Sequence, residues 1–116
     1  GASLMTQISL APKSATTPVA MGISENIGGI VSLTAGLATT TGVIGAILGT
    51  KVFALMKVND DSIKGIAMGL TSHGIGTARA FQVSERMGAF SGLAMAITAF
   101  TTAFLLPWIL SLIGLI

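Results

Sequence analysis

Charged side chains are so few and so clustered that their positions alone divide the chain. Between Glu25 and Lys51 lie 25 consecutive uncharged residues, and from Met87 to Ile116 there are 30. A helix needs about 20 mainly apolar residues to cross a hydrocarbon core about 30 Å thick. Each stretch is therefore predicted to hold one full transmembrane helix. The second is the more hydrophobic, through Leu105, Leu106, Trp108, Ile109 and Leu110. Trp108 has the amphipathic ring of an interfacial anchor.

Composition agrees with lipid as the main solvent. Charged residues make up 9% and hydrophobic residues 52%, with a mean hydropathy of +0.89. A soluble domain carries about 25% charged residues, and six Lys/Arg with four Asp/Glu cannot cover the surface of 116 residues. Soluble globular, disordered and collagenous classes are excluded, and the lack of cysteine excludes a disulfide-stapled fold. The net charge of +2 is scattered, without the basic stripe that nucleic-acid binding needs, so no nucleic-acid partner is expected. Gly1-Ala2-Ser3-Leu4-Met5 has no basic segment leading into an apolar one, so a signal peptide is not expected. HExxH, CxxC and GxSxG motifs are absent, and the Gly74-Ile75-Gly76 run follows no strand and lacks a third glycine. We expect neither an enzyme nor a metal site nor a bound cofactor.

Two further apolar stretches are too short to span. Ser14–Ser24 has 11 residues with Pro18 inside it, and Gly65–Ala78 has 14 with His73 inside it. Both are rich in Gly, Ser and Thr. Segments of about half a bilayer thickness read as re-entrant or broken helices, whose irregular backbone must line a cavity or lie under protein. The segment 51–64 carries Lys51, Lys57, Asp60, Asp61 and Lys64 and reads as an aqueous loop. Its three lysines favour the cytoplasmic side. Gly45-x-x-x-Gly49, Gly65-x-x-x-Gly69 and Gly88-x-x-x-Gly92 suit close helix packing.

Shifting the chain by 60 residues superposes Thr17, Ala20, Ser24, Glu25, Gly28, Leu33 and Thr41 on Thr77, Ala80, Ser84, Glu85, Gly88, Leu93 and Thr101 without a gap. The shared Ser-Glu-x-[Ile/Met]-Gly core is informative because the chain has only two glutamates and they coincide. The expected fold is thus an all-α integral membrane protein forming one membrane domain over 1–116. It holds two full transmembrane helices and two re-entrant or broken helices, arranged as an internal repeat. One unit runs from about 4 to 56, the other from about 64 to 116, with the loop 51–64 between them. If each short segment is a hairpin the repeat is inverted; if each crosses as a broken helix it is parallel. We take the inverted arrangement as the expectation.

The tips of the short segments carry the polar chemistry. In the first, Lys13, Ser14, Thr16 and Thr17 precede Pro18, and Thr17 would cap a half-helix starting at that proline. In the second, His73, Gly74, Gly76, Thr77 and Arg79 follow each other, with Thr77 equivalent to Thr17. Two half-helix starts would meet in one place, each with about half a positive charge and unpaired N–H groups. Lys13, His73 and Arg79 would add to that potential, and a small carboxylate anion is the natural guest. Glu25, Asn26 and Glu85 would serve a coupling ion, H+ or Na+, or be structural ends. Arg79 with Glu85, and Glu25 with Lys13 or Arg86, would then neutralise each other. The same small polar residues also suit packing alone.

Pro12-Lys13-Ser14-Ala15-Thr16-Thr17-Pro18-Val19-Ala20-Met21, Ile27-Gly28-Gly29-Ile30, the run from Gly65 to Arg79 containing Ser72-His73-Gly74-Ile75-Gly76-Thr77-Ala78-Arg79, and Gly88-Ala89-Phe90-Ser91-Gly92-Leu93-Ala94-Met95 resemble the C-terminal half of the LrgB/CidB family. That family includes antiholin-like LrgB proteins, YohK-type proteins and a domain of the plastid glycolate/glycerate transporter. The resemblance implies a multi-pass protein of the bacterial inner membrane. It also implies one of two roles. One is transport of small 2-hydroxy or 2-keto monocarboxylates of the glycolate, glycerate and pyruvate type. The other is modulation of murein hydrolase activity and autolysis with a small LrgA/CidA-type membrane partner. A homo-oligomer packed through the glycine ridges is a third expectation. Family members are about twice this long, with further spans before Lys13.

Overall fold

The computed structural model describes residues 1–116, which form five helices and no strand: α1 (Leu4–Leu10), α2 (Thr17–Ile27), α3 (Val31–Leu55), α4 (Asp61–Val83) and α5 (Glu85–Leu112). Local chemistry explains the ends. Ser3 starts α1 by accepting the Thr6 N–H at 3.2 Å. Gly28 ends α2 at φ 84°, a left-handed conformation, and the Gly29 N–H returns to the Ser24 carbonyl at 2.8 Å. Asp60 starts α4 by accepting the Ser62 N–H at 2.8 Å, and Ser84 starts α5 by accepting the Met87 N–H at 3.0 Å.

α3 and α5 are the two helices long and apolar enough to cross a membrane, with 25 and 28 residues. At 1.5 Å per residue they are about 38 and 42 Å long. Only 17% and 11% of their most apolar windows are buried, so Ile44, Ile47, Phe100, Phe104 and Trp108 face outward. A helix in the core of a soluble protein would be covered; these have the surface of helices in contact with lipid.

α4 is not one rod. His73 sits at φ 41°, ψ −129°, and the chain reverses there. The Ser84 hydroxyl donates to Asp61 Oδ2 at 2.8 Å, joining the two ends of the element. Met68 and Ala80 share a buried cluster with Met87, although an unbroken helix would hold residues 12 apart about 18 Å from each other. The element is therefore a pair of antiparallel arms, 61–72 and 74–83. α1 and α2 make a shorter pair around the turn 11–16. Ile8 of α1 packs on Ile23 and Ile27, and the Ile30 N–H donates to Ser9 Oγ at 2.7 Å.

The long helices run in opposite directions. α3 begins beside the open end of the first hairpin, where the Thr34 hydroxyl donates to the Ser9 carbonyl at 2.8 Å. α5 finishes there, with Leu110 against Ile8, Ile23 and Ile27. At the other end, Phe53 of α3 and Met87 of α5 meet at the open end of the second hairpin. The first arm of α4 lies along α3 through Gly42, Gly45 and Gly49, which contact His73, Ser72 and Met68. Gly65 and Gly69 lie directly on the α5 backbone at Met87 and Ser91. The GxxxG pairs thus let backbones approach.

Three sequence expectations need correction. The Ser-Glu elements are not structurally equivalent. Ser24 and Glu25 lie inside α2, with Ser24 buried and its hydroxyl oxygen 2.7 Å from that of Thr34. Ser84 instead is extended and caps α5, because Asp61 accepts its hydroxyl. The loop is also shorter than 51–64, since α3 runs on to Leu55 and only 56–60 link it to α4. Lys51 is helical and exposed, within the last turns of α3. Finally, α2 begins at Thr17 with Pro18 in its first turn and Thr16 at the cap position, where the Thr16 side chain makes no capping bond.

A side chain at Gly69 would collide with the Ser91 carbonyl. Gly69→Val is expected to lower stability by about 1–3 kcal/mol through overpacking, read as the unfolding midpoint in detergent micelles. Gly22→Ala, on an exposed face of α2 with nothing near its Cα, is expected to be neutral or to stabilise by up to about 1 kcal/mol.

Candidate functional site

Both hairpin turns come to the first half of α3. The His73 ring is 2% exposed, and its Nε2 lies 2.7 Å from the Ala38 carbonyl, to which the Nε2–H tautomer would donate. Its Cε1 faces Gly42, where any side chain would exclude the ring. A positive φ is costly for a non-glycine residue, and this contact with α3 holds His73 there. The Thr77 hydroxyl donates to the His73 carbonyl at 2.8 Å. A hydroxyl has a single proton, so the 2.8 Å contact between Thr77 and Ser91 is Ser91 donating to Thr77. Imidazole, two hydroxyls and two carbonyls thus tie the second tip to α3 and α5.

The first tip reaches the same residue from its other flank. Ala15, Ala20 and Ala38 form one buried cluster. Lys13 Nζ donates to Ser14 Oγ at 3.1 Å, and Lys13, Ser14, Thr16 and Thr17 are half-buried. Behind this tip, Ser9, Ser24 and Thr34 make a second buried hydroxyl group. Every buried side-chain nitrogen and oxygen in the molecule has a hydrogen-bond partner.

The expected anion site is only partly assembled. His73, Gly76 and Thr77 are buried in the second tip and Gly74 is exposed at its turn. Thr77 is not a cap, because the break falls at His73 and leaves Thr77 one turn inside the returning arm. Thr17 and Thr77 do not meet: α2 and α4 share no pair of Cα atoms within 8 Å. Helix α3 separates them. Arg79 also leaves the tip, because six residues of helix carry it about 9 Å from His73, into a cleft with Thr50, Asn59 and Lys64. Its guanidinium donates to Gln82 Oε1 at 3.1 Å rather than pairing with Glu85. Glu25 and Asn26 are exposed near the end of α2, and Glu85 is exposed at the start of α5. Neither glutamate forms an ion pair, and Arg86 donates to Ser62 Oγ at 2.8 Å. The Ala38 carbonyl, Gly42 and Ser91 were not anticipated; a carbonyl acceptor leaves no residue-type signal, and Ser91 reads as one more small residue in a glycine ridge.

The single ion pair, Lys64 with Asp61 at 3.0 Å, sits at the open end of the second hairpin, outside the apolar spans. The Ser84 hydroxyl, and after it Lys64, hold the Asp61 carboxyl below its ordinary value of 3.8. A carboxylate whose folded value is depressed adds stability above the unfolded value and loses it as pH falls through the folded one. Stability is thus expected to fall below pH 3.8, and Asp61→Asn to flatten that slope while lowering stability at pH 7, measured as unfolding midpoint against pH. His73→Ala removes the side-chain bond to the Ala38 carbonyl and empties the space beside Gly42, and is expected to cost about 1–3 kcal/mol in the same measurement.

A family model described as the LrgB-like family matches residues 1–112. The uncharacterised protein YwbG of Bacillus subtilis is 36% identical over 103 residues, covering 89% of this chain and 46% of that protein. The holin-like protein CidB of Staphylococcus aureus strain N315 is 35% identical over 100 residues, covering 86% of this chain and 44% of that one. CidB of Staphylococcus epidermidis strain RP62A is 35% identical over 107 residues, covering 92% and 47%. The chain therefore spans about half the length of these relatives. No solved structure gives a significant match. With two lipid-facing helices and a family match over nearly its whole length, the chain is a membrane protein of bacterial type and belongs to the LrgB-like family.

Proposed function

We propose that this chain is the hairpin-bearing part of a holin-like membrane protein that modulates murein hydrolase activity and autolysis together with a small LrgA/CidA-type partner. The single observation carrying this reading is its 35% identity, over most of its length, to proteins named holin-like CidB. In this reading α3 and α5 cross the inner membrane in opposite directions. The two hairpins are re-entrant, entering from opposite faces as an inverted repeat. Their open ends, with Glu25 on one side and Asp61, Glu85 and Arg86 on the other, lie at the two interfaces. The turns lie within the bilayer, where Ala38 and His73 close the path between them. Such a plug is a two-state element: withdrawing His73 from Ala38 opens a polar route lined by Ser72, Thr77 and Ser91.

Expression of the full-length protein with its small partner in a bacterial host tests the proposal. Autolysis rate and membrane potential are expected to change with the wild type, and His73→Ala to alter both at equal protein level. Unchanged autolysis and potential in both cases would refute it.

A second reading is favoured by one observation, the concentration of hydroxyls with Lys13 and His73 around the middle of the molecule. Here the same hairpins would carry small 2-hydroxy or 2-keto monocarboxylates, coupled to H+ or Na+, in a homo-oligomer. Saturable uptake of radiolabelled glycolate or pyruvate into liposomes, lost in Thr77→Val, would favour transport over the holin-like role.

A further inference from the structure

At the open end of the second hairpin, the last turns of α3, the 56–60 link and the two arms of α4 enclose a cleft of about 280 Å3. Its polar lining is Thr50, Asn59, Lys64 and Arg79, and the accessible part of its apolar wall is Phe53, Val58 and Val83. No carboxylate lines it. Lys64 shares its charge with Asp61 at the rim. Arg79 is half-buried, gives one hydrogen bond to Gln82 and has no acidic partner. A guanidinium has five N–H donors in a planar fork that matches phosphate and carboxylate oxygens, and this one lines the cleft with a single hydrogen bond, to Gln82. Lys51, Lys57, Lys64, Arg79 and Arg86, five of the six cations in the chain, gather at this end. Basic clefts beside spanning helices on the positively charged face attract anionic head groups.

We propose that this cleft binds the phosphate-bearing head group of an anionic phospholipid. Arg79 forks onto the phosphoryl oxygens, and Lys64 and Asn59 donate from the link side. Phe53 and Val83 pack against the carbons next to the phosphate. The half-apolar wall is what selects an amphiphile over a free ion. The site lies away from the tips and does not depend on whether the protein acts as a holin-like modulator or a transporter.

The test uses full-length protein in neutral detergent, titrated with dihexanoylphosphatidylglycerol, dihexanoylphosphatidylcholine or inorganic phosphate, with binding read from the shift in unfolding midpoint. Phosphatidylglycerol is expected to bind saturably and phosphatidylcholine at least about tenfold more weakly. Arg79→Gln should weaken phosphatidylglycerol binding about tenfold or more, as loss of a charged hydrogen bond does, while the exposed Lys51→Gln changes it less than about twofold. Inorganic phosphate binding as tightly as phosphatidylglycerol would overturn the lipid assignment and make the cleft a site for free phosphate. Equal response to both lipids without phosphate binding, or equal loss in Arg79→Gln and Lys51→Gln, overturns the proposal. Should Arg79→Gln fail to fold, Arg79→Lys decides: it keeps the charge but loses the fork, and unchanged phosphatidylglycerol affinity overturns the assignment.

Discussion

The hydrogen bond between the His73 ring and the Ala38 carbonyl holds together a reversal on which the rest of the structure depends. Reversing a helix inside an apolar environment exposes backbone groups and strains the residue at the turn. Here the turn residue has a side chain and a positive φ, so something outside the hairpin must hold it. Helix α3 does so by giving up side chains at Gly42 and Gly45, which lets His73 and Ser72 approach its backbone. The returning arm then brings Ser84 back to Asp61, and α5 can start at the end where α3 finished. Opposite directions for the two long helices follow directly.

The two hairpins solve the same problem with unequal means. The first is short, with seven residues in α1, and its turn relies on Pro12 and Pro18, residues that cannot continue an incoming helix. It is fastened at its open end by Ser9, Ser24 and Thr34. The second has a longer entering arm and is fastened at its tip by His73, Thr77 and Ser91, and at its open end by Asp61 and Ser84. Ala38, caught between the two turns, is fully buried. The arrangement places the Thr77 and Ser91 hydroxyls behind the second turn and the charged side chains other than Lys13 away from the turns, in keeping with the high cost of charge in an apolar environment.

Much of this was legible in the residues. The uncharged runs after Glu25 and Arg86 located α3 and α5, because charge is excluded from long apolar spans at high cost. Proline and polar clusters marked the tips at 11–18 and 71–79, but placed the second half-helix start at Thr77 where the chain reverses at His73. What could not be read was register. The Ser-Glu match at a 60-residue offset is real in sequence, yet Ser24 is helical and Ser84 is a cap. The difference arises from Asp61, which has no counterpart at the start of the first unit. Arg79 looked like part of the tip because sequence neighbours lie close along the chain, but a helix moves each residue about 1.5 Å further from the turn. Contacts made through backbone carbonyls, such as that of Ala38, leave no trace in residue type at all.

Sidedness of two introduced cysteines tests the account most directly, since the chain has none of its own. Asn59 and Gln82 are both exposed and flank the two arms of the second hairpin. Labelling of Asn59→Cys and Gln82→Cys by a membrane-impermeant maleimide, in sealed vesicles of known orientation, should occur from the same face. Labelling from opposite faces would mean that the α4 segment crosses the membrane, and the fold-back at His73 would be wrong.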